Sequence, residues 1–230
     1  MNKKSKEALY DDIKRCVLTM EFEPGQSLDE ASLGRSFGLS RTPVRDVLRL
    51  LAGEGYLTLK DNRGAFVSPM TLKTLRSFFR TAPPTYAAIA ALAVENHTAP
   101  QLVALKAAQR DFVRAVRASD AGQMVTANNH FHLVMGEMAD NPYLWPSLQR
   151  LLIDHARIGQ TFYRPRDERM RARMNSASEH HDEFIATIER GDVAAAHALA
   201  HAHWELSRED MDLYARPAPL DFDLGRERTG

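Results

Sequence analysis

The apolar side chains near the start of the chain recur at helical spacing. This pattern predicts a helix over residues 7–20, since an α-helix returns to the same face every three or four residues. The residues of that face are Leu9, Ile13, Val17 and Met20. The following Phe22-Glu23-Pro24-Gly25 segment predicts a turn, because proline and glycine end helices.

Two shorter amphipathic segments come next. Asp29 is suited to cap a helix that carries Leu33 and ends near Gly38. Ser40 is suited to cap a second helix, which Gly53 and Gly55 end. The apolar face of this second helix consists of Val44, Val47, Leu48 and Leu51.

Two strand-like pieces follow the third helix. Residues 56–59 and 65–67 are rich in β-forming side chains, and residues 60–64 form a polar connection with a glycine. Three helices followed by a β-hairpin is the order of a winged helix-turn-helix. Residues 1–69 are therefore predicted to be a DNA-binding domain with a small β-hairpin wing.

The rest of the chain reads as helix only. We expect a linker at residues 70–74, an all-α helical bundle at residues 75–215 and a mobile tail at residues 216–230. Roughly six helices are predicted in the bundle, with breaks near residues 97–100, 119–122, 141–142, 164–165 and 191–192. Pro83-Pro84 should kink or interrupt the first of these helices. The fold class is mainly α.

Composition narrows the setting without identifying the function. The formal net charge is zero, so any DNA contact must arise from local patterning rather than from a generally basic surface. The chain has one cysteine, no apolar run long enough to cross a membrane, and a basic N-terminus unlike a secretory signal. We expect a cytoplasmic protein that does not bind membranes.

The start of the second capped helix carries DNA-binding chemistry. Its first turn would expose Arg41, Thr42 and Arg45, opposite the apolar face. Unpaired amides at a helix N-terminus bind anions, and guanidinium groups there can hold phosphates or read guanine edges. Arg63 and Gly64 at the hairpin tip would bring the wing to the DNA backbone. The alternative interpretation is a solvated helix face with salt bridges.

The run PGQSLDEASLGRSFGLSRTPVRDVLRLLAGEGYL, followed by GAFV, resembles the N-terminal domain of GntR-type regulators. The match covers residues 9–69. The resemblance implies that Arg41 and Arg45 contact bases or flanking phosphates and that Gly64 lies at the wing tip. It also implies that Ser40, Thr42 and Pro43 line the groove. Ala31 departs from the polar residue that many relatives carry at this position.

Histidines are concentrated in the second domain. Asn128 and His132 are four residues apart and share a helix face, a spacing that lets two side chains bind one ion. His180-His181 and the later set His197, His201 and His203 offer further imidazoles. Three imidazoles and an oxygen donor inside a helical bundle would suit zinc, nickel or a similar divalent ion. The i,i+4 pair of His197 and His201 is an alternative site, and spacing alone does not choose between them.

The second half is similar to the FadR-type effector domain of the same family, the FCD domain. Asn128, Phe131-His132, Ile188 and Gly191-Asp192 carry this resemblance. It implies four metal ligands, with asparagine where the family more often has aspartate: Asn128, His132, His181 and His203. It also implies that the ion and nearby polar groups hold a small carboxylate, for which Arg80 and Arg157 are candidate effector-binding counter-charges.

The function implied is a ligand-responsive regulator that is no enzyme. We expect a homodimer on a near-palindromic double-stranded operator, whose half-sites lie about 34 Å apart, and a repressor that a small organic acid releases. The alternatives are a regulator that senses the metal directly and a metal-dependent hydrolase. The hydrolase is disfavoured because the sequence has neither an H-E-x-x-H motif nor a nucleophile elbow.

Overall fold

A winged helix-turn-helix forms the N-terminal part of the computed structural model, which describes residues 3–215, with side chains for residues 5–206. Three helices build it, as the sequence predicts, together with a three-stranded sheet. The helices are α1 (Lys3–Leu18), α2 (Glu30–Phe37) and α3 (Arg41–Gly53). The strands are β1 (Ser27–Leu28), β2 (Leu57–Lys60) and β3 (Gly64–Val67).

The wing has one strand more than the hairpin that the sequence predicts. β2 and β3 form that hairpin, and the two-residue β1 pairs with the other edge of β3, Ser27 opposite Phe66 and Leu28 opposite Ala65. The third strand ties the wing to the turn before α2, which orients the hairpin relative to the helices.

The tight turn between α2 and α3 depends on two glycines. Gly38 ends α2 with φ +63°, a left-handed conformation that glycine adopts without steric cost. A Cβ placed on Gly34 would lie 2.8 Å from the carbonyl oxygen of Leu39. The close approach of these two segments therefore sets the angle between the helices of the helix-turn-helix.

Six helices make up the C-terminal part of the described chain, and each ends near a predicted break. They are α4 (Leu72–Asn96), α5 (Ala99–Arg117), α6 (Ala121–Ala139), α7 (Leu144–Phe162), α8 (Glu168–Arg190) and α9 (Val193–Ala215). None of the described helices is long and apolar enough to cross a membrane. The predicted mobile tail at residues 216–230 lies outside the described residues.

Two expectations for the start of this domain need correction. The expected linker at residues 70–74 is already helical from Leu72, because Thr71 and Thr74 form a reciprocal capping box that starts α4. α4 also runs through Pro83-Pro84 without the interruption that was one of the two expected outcomes. Neighbouring side chains that pack into the bundle, among them Ala82 and Tyr86, offset the lost backbone hydrogen bonds.

Helix α7 joins the two halves of the protein. Ile153 on this helix packs into the core of the winged domain. The guanidinium of Arg157 donates to the carbonyl of Ser68 at 2.6 Å, and the amide of Gln160 donates to the carbonyl of Leu18 at 3.3 Å. A displacement of α7 would therefore shift residues that contact the DNA-binding domain directly.

Candidate functional site

The first turn of α3 presents basic side chains to solvent. Arg41, Thr42 and Arg45 are exposed, while the apolar face of the helix is buried, as the sequence pattern predicts. Ser40 occupies the N-cap position with extended backbone but makes no capping hydrogen bond with its side chain. The first-turn amides are thus not capped by this hydroxyl, which suits a helix end that meets a phosphate.

Pro43 does not lie where the resemblance implies. Its ring is buried within the winged domain, so it does not line the exposed surface of α3 with Ser40 and Thr42. The reason is helical periodicity, because Pro43 precedes Val44 and Val47 on the side of the helix that packs inward.

Arg45 is already oriented in the free protein. Its Nε donates to the Oε2 of Glu30 at 2.8 Å, and the side chain remains 56% exposed. A carboxylate on α2 thus engages the inner nitrogen of the guanidinium. The two terminal nitrogens are left for a base edge or a phosphate.

The tip of the wing carries two cations. Arg63 and Lys60 flank the turn of the hairpin, and both are exposed. Both side chains lie over the ring of Phe66, and Lys60 Nζ is 4.3 Å from the ring centroid. Gly64 has φ +84°, which explains the glycine at this place. Lys60 is a residue that the sequence reasoning missed, although it stands at the edge of the predicted loop.

Three of the four predicted metal ligands meet inside the C-terminal bundle. One ring nitrogen from each of His132, His181 and His203 lies within 4.8 Å of the others. The Nε2 atoms of His132 and His181 and the Nδ1 of His203 are buried and have no hydrogen-bond partner among the described residues. A buried polar atom without a partner is costly, and a bound cation would satisfy all three at once. We refer to these residues as the three-histidine cluster.

A glutamine fixes the protonation of one of these rings. The Nδ1 of His181 lies 3.0 Å from the Oε1 of Gln109. The amide nitrogen of Gln109 donates to the carbonyl of Ser178 at 3.0 Å, which holds the amide with its oxygen towards the histidine. His181 must therefore donate from Nδ1, and its Nε2 keeps a free lone pair within the cluster.

Burial keeps the cluster neutral. Desolvation lowers the pKa of His181 to about 3 and the pKa of His132 and His203 well below the usual value, and the neighbouring imidazoles add to the effect. Neutral imidazole is the form that binds a metal ion. The donor set therefore fits zinc or nickel.

The other candidate ligands differ in how far they are buried. Asn128 is 3% exposed, one helical turn before His132 on α6. His197 and His201 lie next to each other on the exposed side of α9, with ring centroids 5.1 Å apart, away from the interior. His180 is more exposed than His181.

A further histidine, partly buried and missed by the sequence reasoning, stands beside the cluster. The ring centroid of His155 on α7 lies 5.0 Å from that of His132, and its Nδ1 lies 3.0 Å from the hydroxyl of Tyr86. Its helical register could have identified it, because it falls on the same inward face as Leu148, Leu152 and Phe162.

Neither candidate counter-charge faces the cluster. Arg80 is exposed on α4. Arg157 is fully buried, but its guanidinium is engaged by Asp154 Oδ1 at 3.0 Å and by the carbonyl of Ser68. The structure thus gives Arg157 a role in joining the domains, and neither arginine is among the residues that line the cavity beside the histidines.

Comparisons with known proteins match both halves. The family described as "Bacterial regulatory proteins, gntR family" matches residues 5–67, and the FCD domain matches residues 87–206. The uncharacterized HTH-type transcriptional regulator YdhC of Bacillus subtilis is 23% identical over 195 residues, which are 84% of this chain and 85% of that protein. The HTH-type transcriptional repressor RspR of Escherichia coli is 25% identical over 201 residues, 86% of each chain.

Solved structures share the fold. E. coli McbR/YncC superposes with a TM-score of 0.77 at 19% identity, over 94% of this chain and all of that one. A putative GntR transcriptional regulator from Rhodococcus sp. RHA1 gives a TM-score of 0.70 at 16% identity, again over 94% of this chain.

Proposed function

The chain belongs to the GntR family as a DNA-binding transcriptional regulator with an FCD domain, and we propose that it is a repressor released by a small carboxylate. The matched domains are those of transcriptional regulators, and the relatives are named as transcriptional regulators. The hydrolase alternative is therefore dropped. The E. coli relative RspR is named a repressor, which supports the proposed sign of regulation.

The observation that carries the proposal is the exposed first turn of α3. Arg41 and Arg45 extend from it beside an exposed N-cap, and Arg63 with Lys60 forms a second cationic point on the wing. A recognition helix in the major groove and a wing on the backbone would use these two points together. A homodimer would place two such helices on the half-sites of a near-palindrome.

We further propose that the three-histidine cluster, with Asn128, holds a divalent ion. His132, His181 and His203 would supply nitrogen and Asn128 an amide oxygen, a set suited to zinc or nickel. A bound ion would supply positive charge that attracts an anionic ligand.

Helix α7 offers a route from ligand to DNA. One face of it, with His155 and Ile158, lines the cavity beside the cluster, and another face, with Ile153 and Arg157, contacts the winged domain. A ligand that shifts α7 would change the position of α3 relative to its dimer partner, and half-site spacing makes affinity sensitive to such shifts.

The DNA-binding part is tested by selecting duplexes from a random pool with the purified protein. We expect a near-palindrome to be enriched, to bind two protomers, and to lose affinity steeply as the salt concentration rises. Fluorescence anisotropy with a shuffled duplex as control measures the specificity. Failure to enrich any sequence would overturn the proposed role of α3.

The metal part needs its own measurement. Elemental analysis of wild type and His132→Ala protein should show about one zinc or nickel per chain only in the wild type, and equal content would remove the proposed site. Adding zinc alone to chelator-treated protein separates the two modes of regulation. Release of the operator by zinc without any acid would favour direct metal sensing, which the three unpartnered ring nitrogens also support.

A further inference from the structure

A cleft lies between the winged domain and the C-terminal bundle. Its volume is about 580 Å³, which is typical of pockets that bind small organic molecules, whereas the cavity beside the three-histidine cluster has only about 30 Å³. One wall comes from α1 and the turn after α3, and the other comes from α6 and α7. A molecule bound in this cleft would therefore contact both domains.

Among the described residues, three charged side chains line this cleft: Lys14, Glu54 and Arg150. Tyr10 links the first two, since the ammonium of Lys14 donates to its hydroxyl at 3.1 Å and this hydroxyl lies 2.8 Å from both carboxylate oxygens of Glu54. Burial and the hydrogen bond to Glu54 raise the pKa of Tyr10, so the phenol keeps its proton and donates it to the carboxylate. The charges of Lys14 and Glu54 thus balance each other.

Arg150 and Arg157 share one carboxylate. An Nη1 of Arg150 lies 3.4 Å from Oδ2 of Asp154, and the Nη1 of Arg157 lies 3.0 Å from Oδ1 of the same group. No other carboxylate of the described residues forms an ion pair with either arginine. Burial lowers the pKa of Arg157, and the charge of Arg150 adds to this effect, because the two cations repel each other. One positive charge is therefore uncompensated, and Arg150, 44% exposed, carries it into the cleft.

The stem of Arg150 is held in place by packing. A Cβ placed on Gly55, in the turn after α3, would lie 2.6 Å from Cδ and 2.9 Å from Nε of Arg150, so the arginine fills the space that the glycine leaves. Trp145 lines the same cleft from a position five residues earlier on α7, about 7.5 Å along the helix axis. A guanidinium and an indole are thus spaced to bind the two ends of one flat organic anion.

We propose that the cleft between the domains is a second ligand site, which binds an aromatic monocarboxylate. The carboxylate pairs with Arg150 and the ring packs against Trp145. One negative charge matches the one uncompensated positive charge, whereas a second carboxylate would share the cleft with Glu54 without a cation of its own. The site is separate from the proposed ion site and does not depend on it.

The bound anion would also strengthen the contact between the domains. With a carboxylate of its own, Arg150 no longer competes for Asp154, which is then left to Arg157. The guanidinium of Arg157 also donates to the carbonyl of Ser68 in the winged domain. The ligand therefore acts on the same pair of groups that joins α7 to the DNA-binding part of the chain.

The test measures dissociation constants by calorimetry for β-naphthoate, its uncharged analogue β-naphthamide, and acetate on the full-length protein. β-Naphthoate should bind about ten-fold more tightly than the amide, the value of a charge-assisted hydrogen bond, and acetate should bind weakly because it has no ring. Arg150→Gln should lose about ten-fold in β-naphthoate affinity, and Arg150→Lys should keep part of it because the charge remains. Arg114→Gln, the same change at an exposed arginine outside the cleft, should bind like wild type.

Zinc dependence separates this site from the three-histidine cluster. β-Naphthoate should bind equally to zinc-loaded and chelator-treated protein, and it should raise the melting temperature of both. Arg150→Gln without ligand should melt like wild type, since a partly exposed ion pair adds little to stability. Equal affinity for acid and amide, full affinity in Arg150→Gln, binding that requires zinc, or no binding of the acid would each overturn the inference. The operator-binding measurement is independent of these outcomes, so the proposed function is judged by its own test.

Discussion

The Nε of Arg45 lies 2.8 Å from the Oε2 of Glu30, so the second helix of the helix-turn-helix engages the main candidate DNA reader of the third. The carboxylate is 26% exposed and the guanidinium 56%. An exposed pair of this kind adds little to stability. The ion pair instead orients the side chain, because it restricts the guanidinium of Arg45 and leaves its two terminal nitrogens facing outward.

Arg45→Ala should weaken operator binding by about 10–100-fold, the range for one bidentate base contact, without lowering the thermal stability. Anisotropy titrations with the selected operator measure the loss. Arg114→Ala, which removes an exposed arginine of the C-terminal domain, serves as the control and should change nothing. Matching affinities for the two variants would show that Arg45 does not read DNA.

The wing cations should act differently from Arg45. Lys60→Gln and Arg63→Gln should weaken binding to operator and shuffled duplexes alike. Each should reduce the slope of log affinity against log salt concentration by about one, since one fewer counterion is released from the DNA. Both side chains lie over Phe66 on the exposed hairpin, which suits contact with phosphates. A loss confined to the operator sequence would instead assign these residues to base reading.

The element boundaries could be predicted because their signals are local. Gly38, Gly191 and the capping residue Asp29 each end or begin a helix where the sequence indicates. Strand β1 could not be found in this way, since a two-residue strand exists only through its pairing with β3. The uninterrupted α4 was also beyond local reasoning, because packing around Ala82 and Tyr86 outweighs the preference of two prolines.

The candidate site was only partly open to prediction. Family resemblance supplied His132, His181 and His203, which the structure brings together. His155 went unnoticed because a single histidine in the apolar stripe of α7 looks like any core position until the partner from α4 is known. Arg157 was expected to bind the effector, but its guanidinium donates to the carbonyl of Ser68. The two residues are far apart in the sequence, so no spacing could reveal this contact.

Gln109→Leu should weaken zinc binding by about 10–100-fold, although Gln109 is not a ligand. The change removes the acceptor that holds the proton of His181 on Nδ1, so the ring can turn or take its other tautomer. Competition with a chromogenic chelator measures the dissociation constant. Arg114→Ala serves again as the control, and an unchanged zinc affinity in Gln109→Leu would show that the ring is fixed by packing alone.

Acid should destabilise the metal-free protein before its carboxylates titrate. Burial lowers the pKa of His181 to about 3 and of His155 to about 4, against 6.5 in the unfolded chain. Between these values the unfolded state binds more protons, so the free energy of unfolding is largest above pH 6.5 and falls as the pH decreases. Each such histidine contributes up to about 1.4 kcal/mol per pH unit in this window.

Thermal unfolding of chelator-treated protein between pH 7.5 and 5 measures this dependence. The double variant His197→Gln/His201→Gln, which alters only exposed imidazoles of α9, should keep the same slope. A melting temperature that stays constant over the window would mean that the buried rings are not desolvated in solution.

Arg157→Met should destabilise the protein by about 3–5 kcal/mol, the usual cost of leaving one member of a buried ion pair alone. Arg157 has no exposed side-chain surface, and Asp154 is 11% exposed. Arg150, 3.4 Å from the same carboxylate and half exposed, replaces only part of the lost interaction. The double variant Arg157→Met/Asp154→Leu should recover most of the stability, since an apolar pair of similar volume leaves no buried charge. Urea unfolding measures all three proteins, and a single variant as stable as Arg114→Ala would show that the contact between α7 and Ser68 does not hold the domains together.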